Sequence, residues 1–216
     1  MIPLKGPGFP FVIKPLASRD VGEAARCYMD VFLNHEPLTS CYRISPDLFF
    51  PPALAYVSLC AEDGLSYIAR DAGSGGLAGF VFCSDLSTDW SSRGPCIARM
   101  SSLFPDIAGI LGRLEQYYRG HFPSGPGQSL HIFQVGITPE FQAQGVAKAL
   151  VVTAVEHGRE RGYSYTLAEC TSPSSQALFT SCEFLEVHGV PFPDCSQSGA
   201  CSPGLPGKIL LMVREL

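Results

Sequence analysis

The sequence predicts an α/β or α+β fold in which helices cover both faces of a mixed sheet. Two apolar β-type runs, Leu130 to Ile137 and Tyr165 to Cys170, are separated by a long helical stripe, which calls for a parallel pair joined by a right-handed crossover. Two shorter β-type runs flank Asp71-Ala72-Gly73-Ser74-Gly75-Gly76, the signature of an antiparallel hairpin. The chain has 216 residues, 46% apolar and 16% charged, enough to bury a sizeable core in one domain spanning 1–216.

The elements follow in order. After a Pro/Gly-rich start, Phe11 to Leu16 reads as a strand. Asp20 opens a helix whose apolar residues Val21, Ala24, Ala25, Tyr28, Val31 and Phe32 recur at helical spacing. That helix must fail before Pro37, and Pro46 starts a second one carrying Leu48, Ala53, Leu54, Val57 and Leu59, so Asn34 to Ser45 is a loop. Ser66 to Arg70 and Leu77 to Ser84 form the hairpin, and Asp85 to Pro95 reads as a polar loop. A helix around Ile107 to Arg119 precedes the breaker cluster Pro123 to Ser129 and the strand Leu130 to Ile137. Val146 to about Arg161 is a helix with one buried face, ended by Gly162. A strand from Tyr165 to Cys170, a short helix from Ser174 to Thr180 and a strand from Phe184 to Val190 come next. Residues 191–207 read as an irregular loop insertion before a last strand, Ile209 to Arg214.

Composition narrows the function. A net charge of -5 without a Lys/Arg stripe disfavours nucleic acid and anionic membrane surfaces as partners. The first residues lack a basic region followed by an apolar run, and no stretch approaches eighteen apolar residues, so the expectation is a soluble, cytoplasmic protein. Nine cysteines are scattered without a CxxC pair or a nearby His at ligand spacing, which argues for buried thiols and no metal site. Cys195 and Cys201 share one loop and would pair only incidentally, on oxidation.

The segment Gln134 to Lys148 passes from strand through a polar turn into a helix. Within it Gln142, Gly145 and Ala147 fall at the Q/R-x-x-G-x-G/A spacing, where small residues let an anion approach the backbone at a helix start. Taken alone, Gly145 would also suit plain helix packing. Together with Pro139-Glu140-Phe141 before it and Pro173-Ser174-Ser175-Gln176-Ala177-Leu178-Phe179 after it, the segment resembles the GNAT-type N-acetyltransferases.

That resemblance implies a mixed, mostly antiparallel twisted sheet of about seven strands with a splayed parallel pair. It implies acetyl-CoA as cosubstrate, its pyrophosphate on the backbone of Gln142, Ala143, Gln144, Gly145, Val146, Ala147 and Lys148. Backbone groups near Val135, Gly136, Ile137 and Thr138 would hold the pantetheine and polarise the thioester. Val31 to Thr39 also resembles the Asp-Glu-Pro-Leu segment of the insect-type arylalkylamine, or dopamine, N-acetyltransferases, which makes Glu36 the candidate general base, with His35 in place of the usual aspartate. The same branch places two hydroxyls near the thiol of CoA, here Thr171 and Ser175, although Ser174 and Ser175 also suit helix capping. Two positions depart from the family: Phe179 stands where many members carry a tyrosine acid, and Cys182-Glu183-Phe184 replaces Leu-Gly-Phe.

Among the remaining candidates, packing or solvent exposure is the expectation for His131 and His121. Cys170 and Cys182 lack a recognisable partner for acyl-cysteine chemistry. The expected activity is acetyl transfer by direct attack of a small primary amine, of arylalkylamine or polyamine type, in a ternary complex. A peptide amine acceptor, or a GNAT fold that binds CoA without turnover, is the alternative. The expected assembly is a monomer or a homodimer.

Overall fold

The structure, a computed structural model, describes residues 10–192 and 207–216. Among these residues seven strands form one sheet: β1 (Phe11–Pro15), β2 (Tyr67–Asp71), β3 (Leu77–Asp85), β4 (Ser129–Ile137), β5 (Tyr165–Cys170), β6 (Leu185–Pro191) and β7 (Lys208–Glu215). Their order is β1-β2-β3-β4-β5-β7-β6, and every pairing is antiparallel except β4 with β5. Most of the expected loop insertion, and with it Cys195 and Cys201, lies outside the described residues.

Helices α1 (Val21–Asn34), α2 (Pro46–Asp63), α3 (Pro95–Leu103) and α4 (Pro105–His121) cover one face. On the other face lie α5 (Val146–Glu160) and α6 (Pro173–Ser181). β3 is buried on both sides, and its alternation feeds two cores. Phe80 and Phe82 stack at 4.4 Å toward α1, each also meeting the Tyr28 ring edge-on, while Val81 and Cys83 face Val151 and Ala154 of α5. Burying an aromatic or branched side chain of this size contributes about 1.5–3 kcal/mol, so this central strand anchors both layers.

Three differences from the sequence reading have physical causes. The polar loop expected at Asp85 to Pro95 contains a 3-10 turn at Trp90–Arg93, and its last residue begins α3, an unexpected helix. Pro95 sits at the first turn of α3, where its fixed φ suits a helix start, and Ile97 supplies the buried anchor. Several boundaries shift by one or two residues, as at β2, α4 and β6. The turn that lacks the family glycine keeps a glycine-like shape, because Glu183 adopts φ 65°. Arg214 holds it there, donating to Cys182 O at 2.8 Å and pairing with the Glu183 carboxylate at 2.6 Å.

β4 and β5 pair only at Ser129↔Tyr165, Leu130↔Thr166 and His131↔Leu167. Beyond that point the two strands part, and β4 continues to Ile137 along its antiparallel partner β3. The register between β3 and β4 shifts at Phe82/Cys83, leaving Phe133 unpaired and partly exposed at the split. The parting of the strands leaves the backbone of β4 beyond His131 without a partner on the β5 side.

Candidate active site

A cleft of about 1080 Å³ passes through this split, bounded by the loop after α1, the ends of β4 and β5, and the starts of α5 and α6. On one side it meets the helix-start segment. Phe141 closes a 3-10 turn, Ala143 adopts φ 59°, and Gly145 at φ 82° and ψ 0° is the N-cap of α5. No side chain among the described residues caps that helix end, so its first N–H groups point outward with the positive end of the helix dipole. Val146 is buried beneath the turn, whereas Gln142, Ala143, Gln144, Gly145 and Lys148 are exposed and Ala147 is half-buried. Gln144 is fixed by a 3.0 Å bond from its Nε2 to Glu140 O. This geometry fits a diphosphate, which needs close backbone approach and several unclaimed N–H donors.

The loop after α1 builds the opposite wall. α1 ends where His35 N and Glu36 N both donate to Val31 O at 2.9 Å, and Pro37 prevents another turn. The Glu36 carboxylate then folds back on its own loop. Its Oε2 accepts from Leu38 N at 2.9 Å and Thr39 N at 2.6 Å, while the Thr39 hydroxyl lies between Oε2 and Phe32 O. Leu38 and Thr39 are buried and pin this turn to the core. One oxygen is thus committed to structure. The other, Oε1, accepts from Thr171 Oγ1 at 2.9 Å at the mouth of the split. His35, beside it, is exposed at the cleft edge.

Thr171 follows β5 directly and Ser172 caps α6. Ser175 occupies the third position of that helix in a capping box. Its N–H donates to Ser172 Oγ at 3.1 Å, its hydroxyl donates to Ser172 O at 2.9 Å, and Ser172 N donates to its Oγ at 3.1 Å. Of the two serines expected to cap, Ser175 takes part in the cap, as the partner of the N-cap Ser172, while Ser174 is exposed. Ser175 also lines the cleft, so the structure brings Glu36, Thr171, Ser175 and the β4 segment Val135 to Ile137 to one cavity. Thr138 closes β4 by donating from its N–H to Ala78 O at 3.0 Å. Gly136 lies over Phe80, whose ring would be 2.4 Å from any added Cβ, so only glycine lets the strand sit this close to the core.

The buried thiols of Cys60, Cys170 and Cys182 are poor nucleophiles. Burial, with the Glu169 charge adding to it, pushes the Cys170 thiol up; burial also pushes Cys182 up, and Cys60 to about 12. Phe179 is buried against Phe184, and burial raises the phenols of Tyr28 and Tyr56 in the cleft floor. No group of three or more His, Cys, Asp or Glu side chains in a metal-holding arrangement occurs among the described residues. No helix among them is long and apolar enough to cross a membrane.

One pair escaped the sequence reading. His131, on β4 at the last paired position, approaches Glu169 of β5 with Nε2···Oε2 at 2.7 Å, and both side chains are buried and line the cleft. The signal was present in Tyr165 to Cys170, where a lone carboxylate interrupts an otherwise apolar or neutral strand and must find a partner. His121, in contrast, is exposed on α4, stacked on Tyr117.

Comparison with known proteins agrees with this geometry. The family described as "Acetyltransferase (GNAT) family" matches residues 28–184. No curated protein matches by sequence. Among solved structures, the C-terminal condensation domain of Ebony in complex with beta-alanyl-dopamine superposes with a TM-score of 0.77 at 16% identity, covering 97% of this chain and 100% of that one. Arylalkylamine N-acetyltransferase 2 from Aedes aegypti gives 0.73 at 15% identity over 95% and 98% of the two chains. The polyamine N-acetyltransferase of Drosophila melanogaster gives 0.62 at 16% identity over 95% and 100%. At these identities the likeness is one of fold.

Proposed function

The chain belongs to the acetyltransferase (GNAT) family, and from that premise we propose that it transfers the acetyl group of acetyl-CoA directly to a small primary amine of arylalkylamine or polyamine type. The observation that carries this reading is the Glu36 carboxylate, with one oxygen locked by Leu38 and Thr39 and the other held by Thr171 where β4 and β5 part. A carboxylate fixed in that way can take a proton from an ammonium without losing its position.

In the proposed reaction two protons leave the amine nitrogen. Glu36 takes the first from the ammonium, directly or through one water, which frees the lone pair to attack the thioester carbon. As the carbon–sulfur bond breaks, the second proton passes to the sulfur. Backbone groups of Val135 to Ile137 orient the acetyl group, and the amides from Gln142 to Lys148 hold the pyrophosphate at the uncapped start of α5. Thr171 and Ser175 are the hydroxyls assigned to the thiol end; their protons rest on Glu36 and on Ser172 O, so each must rotate to serve the sulfur. The raised thiols of Cys170 and Cys182 support direct attack over an acyl-cysteine route.

A small acceptor is supported by the far half of the cleft, where Trp90, Met100, Phe104, Ile107 and Leu111 form an apolar lining suited to an aryl or alkyl tail. The names of the similar structures, which include arylalkylamine and polyamine N-acetyltransferases, point the same way. A cytoplasmic location belongs to the same proposal and is supported by the free thiols of the seven described cysteines. The test is thiol release from acetyl-CoA with a panel of arylalkylamines, polyamines and short peptides. Turnover on small amines is expected. Turnover on peptides alone would replace the acceptor, and tight CoA binding without any turnover would leave a binding protein.

A further inference from the structure

We propose that His131, fixed by Glu169, is the residue that determines acceptor specificity, by hydrogen-bonding a hydroxyl group on the tail of the amine. This inference rests on the acetyl-transfer reading and adds a second polar contact to the one made at Glu36.

The pair is placed for that task. Glu169 precedes Thr171 by two residues, so the two side chains emerge on the same face of the extended chain, roughly 7 Å apart along it. In the proposed reaction Glu36 and Thr171 mark the position of the ammonium, and the His131–Glu169 pair, one strand repeat earlier on β5, lines the same cleft as the apolar residues assigned to the tail. Its surroundings are aromatic: Phe133 meets the His131 ring edge-on at 5.1 Å, and Tyr56 links Phe133 to Trp90 through centroid distances of 6.3 and 5.3 Å. An aryl ring carrying a short amine arm fills such a space, with its far edge at the imidazole.

The imidazole has one nitrogen left for a ligand. Nε2 is taken by Glu169, which fixes the ring and its tautomer, while Nδ1 has no protein partner among the described residues and is not sealed from the cleft. Hydrophobic side chains of similar volume would serve stability at least as well as this buried pair, so packing alone does not account for its place in the lining.

The charge state selects the ligand group. Burial works against protonation of His131, but the charge and hydrogen bond of Glu169 on β5 overcome it; Glu115 on α4 adds to the rise and Arg119 on α4 opposes it, leaving the histidine above its ordinary value. Imidazolium donates at Nδ1, and neutral imidazole accepts there. A hydroxyl can do the complementary thing in either state, whereas a second ammonium only donates and so fits the neutral ring alone. A hydroxylated arylalkylamine thus suits this position in both states, and a diamine in only one.

The test compares kcat/KM for tyramine and phenethylamine, which differ by one ring hydroxyl, in the wild-type protein and in His131→Phe and His131→Gln. The wild type should prefer tyramine by about tenfold. The ratio should fall to near one in His131→Phe and recover in part in His131→Gln, whose side chain still hydrogen-bonds. A wild-type ratio near one, or an unchanged ratio in His131→Phe, overturns the inference while acetyl transfer stands. Should His131→Phe fail to fold, the wild-type ratio and that of His131→Gln decide. Turnover of neither amine by the wild type would overturn this inference together with the arylalkylamine acceptor it assumes, while turnover on another amine of the wider panel would keep acetyl transfer.

Discussion

Thr171 Oγ1 donates to Glu36 Oε1 across 2.9 Å, tying the end of β5 to the loop after α1 over 135 residues of sequence. This bond joins the carboxylate that the proposed mechanism needs as a base to a hydroxyl assigned to the thiol end of the cosubstrate. Proton removal and thiol departure are thereby placed on one hydrogen-bonded pair. Glu36→Gln should lower kcat/KM by about 10²–10⁴ at neutral pH, the usual range for losing a general base. Activity should recover as pH approaches about 10, where a primary amine sheds its own proton. Thr171→Val should cost about tenfold and Thr171→Ser much less, since serine keeps the donor. A pH–rate profile of Glu36→Gln parallel to the wild type would remove Glu36 as the base.

At the start of α5, Gly145 combines a left-handed backbone with the approach of an anion. Gly145→Ala should lose about 1–2 kcal/mol of stability from backbone strain at φ 82° and should weaken CoA binding by about tenfold or more. Gly162 at the far end of α5 is the control, because it has φ 85° and open space around a would-be Cβ. Gly162→Ala should show a similar stability loss with CoA affinity intact. Calorimetric titration of both variants with CoA separates strain from binding; equal loss of affinity in the two would disconnect Gly145 from the ligand.

The turn after α6 predicts a stabilising change. Glu183 holds φ 65° where the resembling sequences have glycine, and its ion pair with Arg214 is weak because the Glu183 side chain is 78% exposed. Glu183→Gly relieves strain of about 1–2 kcal/mol, against which stand a small lost ion pair and the greater freedom of glycine in the unfolded chain. The net expectation is up to about 1 kcal/mol of added stability in urea denaturation. A clear destabilisation would show that the Arg214 contact outweighs the strain.

Much of this layout could be read from residue order. The stripe Val21, Ala24, Ala25, Tyr28 and Val31 predicted the buried face of α1, and the two apolar strands around α5 predicted the parallel pair, because both patterns follow from burial on a periodic backbone. The site was legible only where a local motif carried it, as at Gln142 to Lys148 and at Glu36. Long-range pairing is different. Nothing in the spacing of His131 and Glu169 announces that β4 and β5 bring them within 2.7 Å, and α3 is too short to show a pattern beyond its leading proline. The capping box was half visible: Ser172 and Ser175 have the right spacing, but the extended chain leaving β5 decides which serine becomes the cap.

Acid stability should depend on Asp20, which precedes α1. Its Oδ1 receives Lys14 Nζ and Arg70 Nη2, each at 3.0 Å, with the carboxylate side chain only 5% exposed. Burial acts to raise its pKa, yet the hydrogen bonds and charges of Lys14 and Arg70 win and hold it below the ordinary value of 3.8. A carboxyl group with a lowered folded-state pKa contributes stability that is fully present above the unfolded value, here 3.8, and is lost as pH falls through the folded one. Asp20→Asn keeps the shape and removes the charge. It should therefore cost about 2 kcal/mol near neutrality, and its stability should vary less with pH below the ordinary carboxylate range. Oδ2 is buried without a hydrogen-bond partner among the described residues, so the stabilisation rests on the cations at Oδ1 rather than on a saturated network. Urea midpoints of the two proteins between neutral pH and the acid limb measure this directly. Parallel curves across that range would mean that Lys14 and Arg70 contribute no net stabilisation at this site.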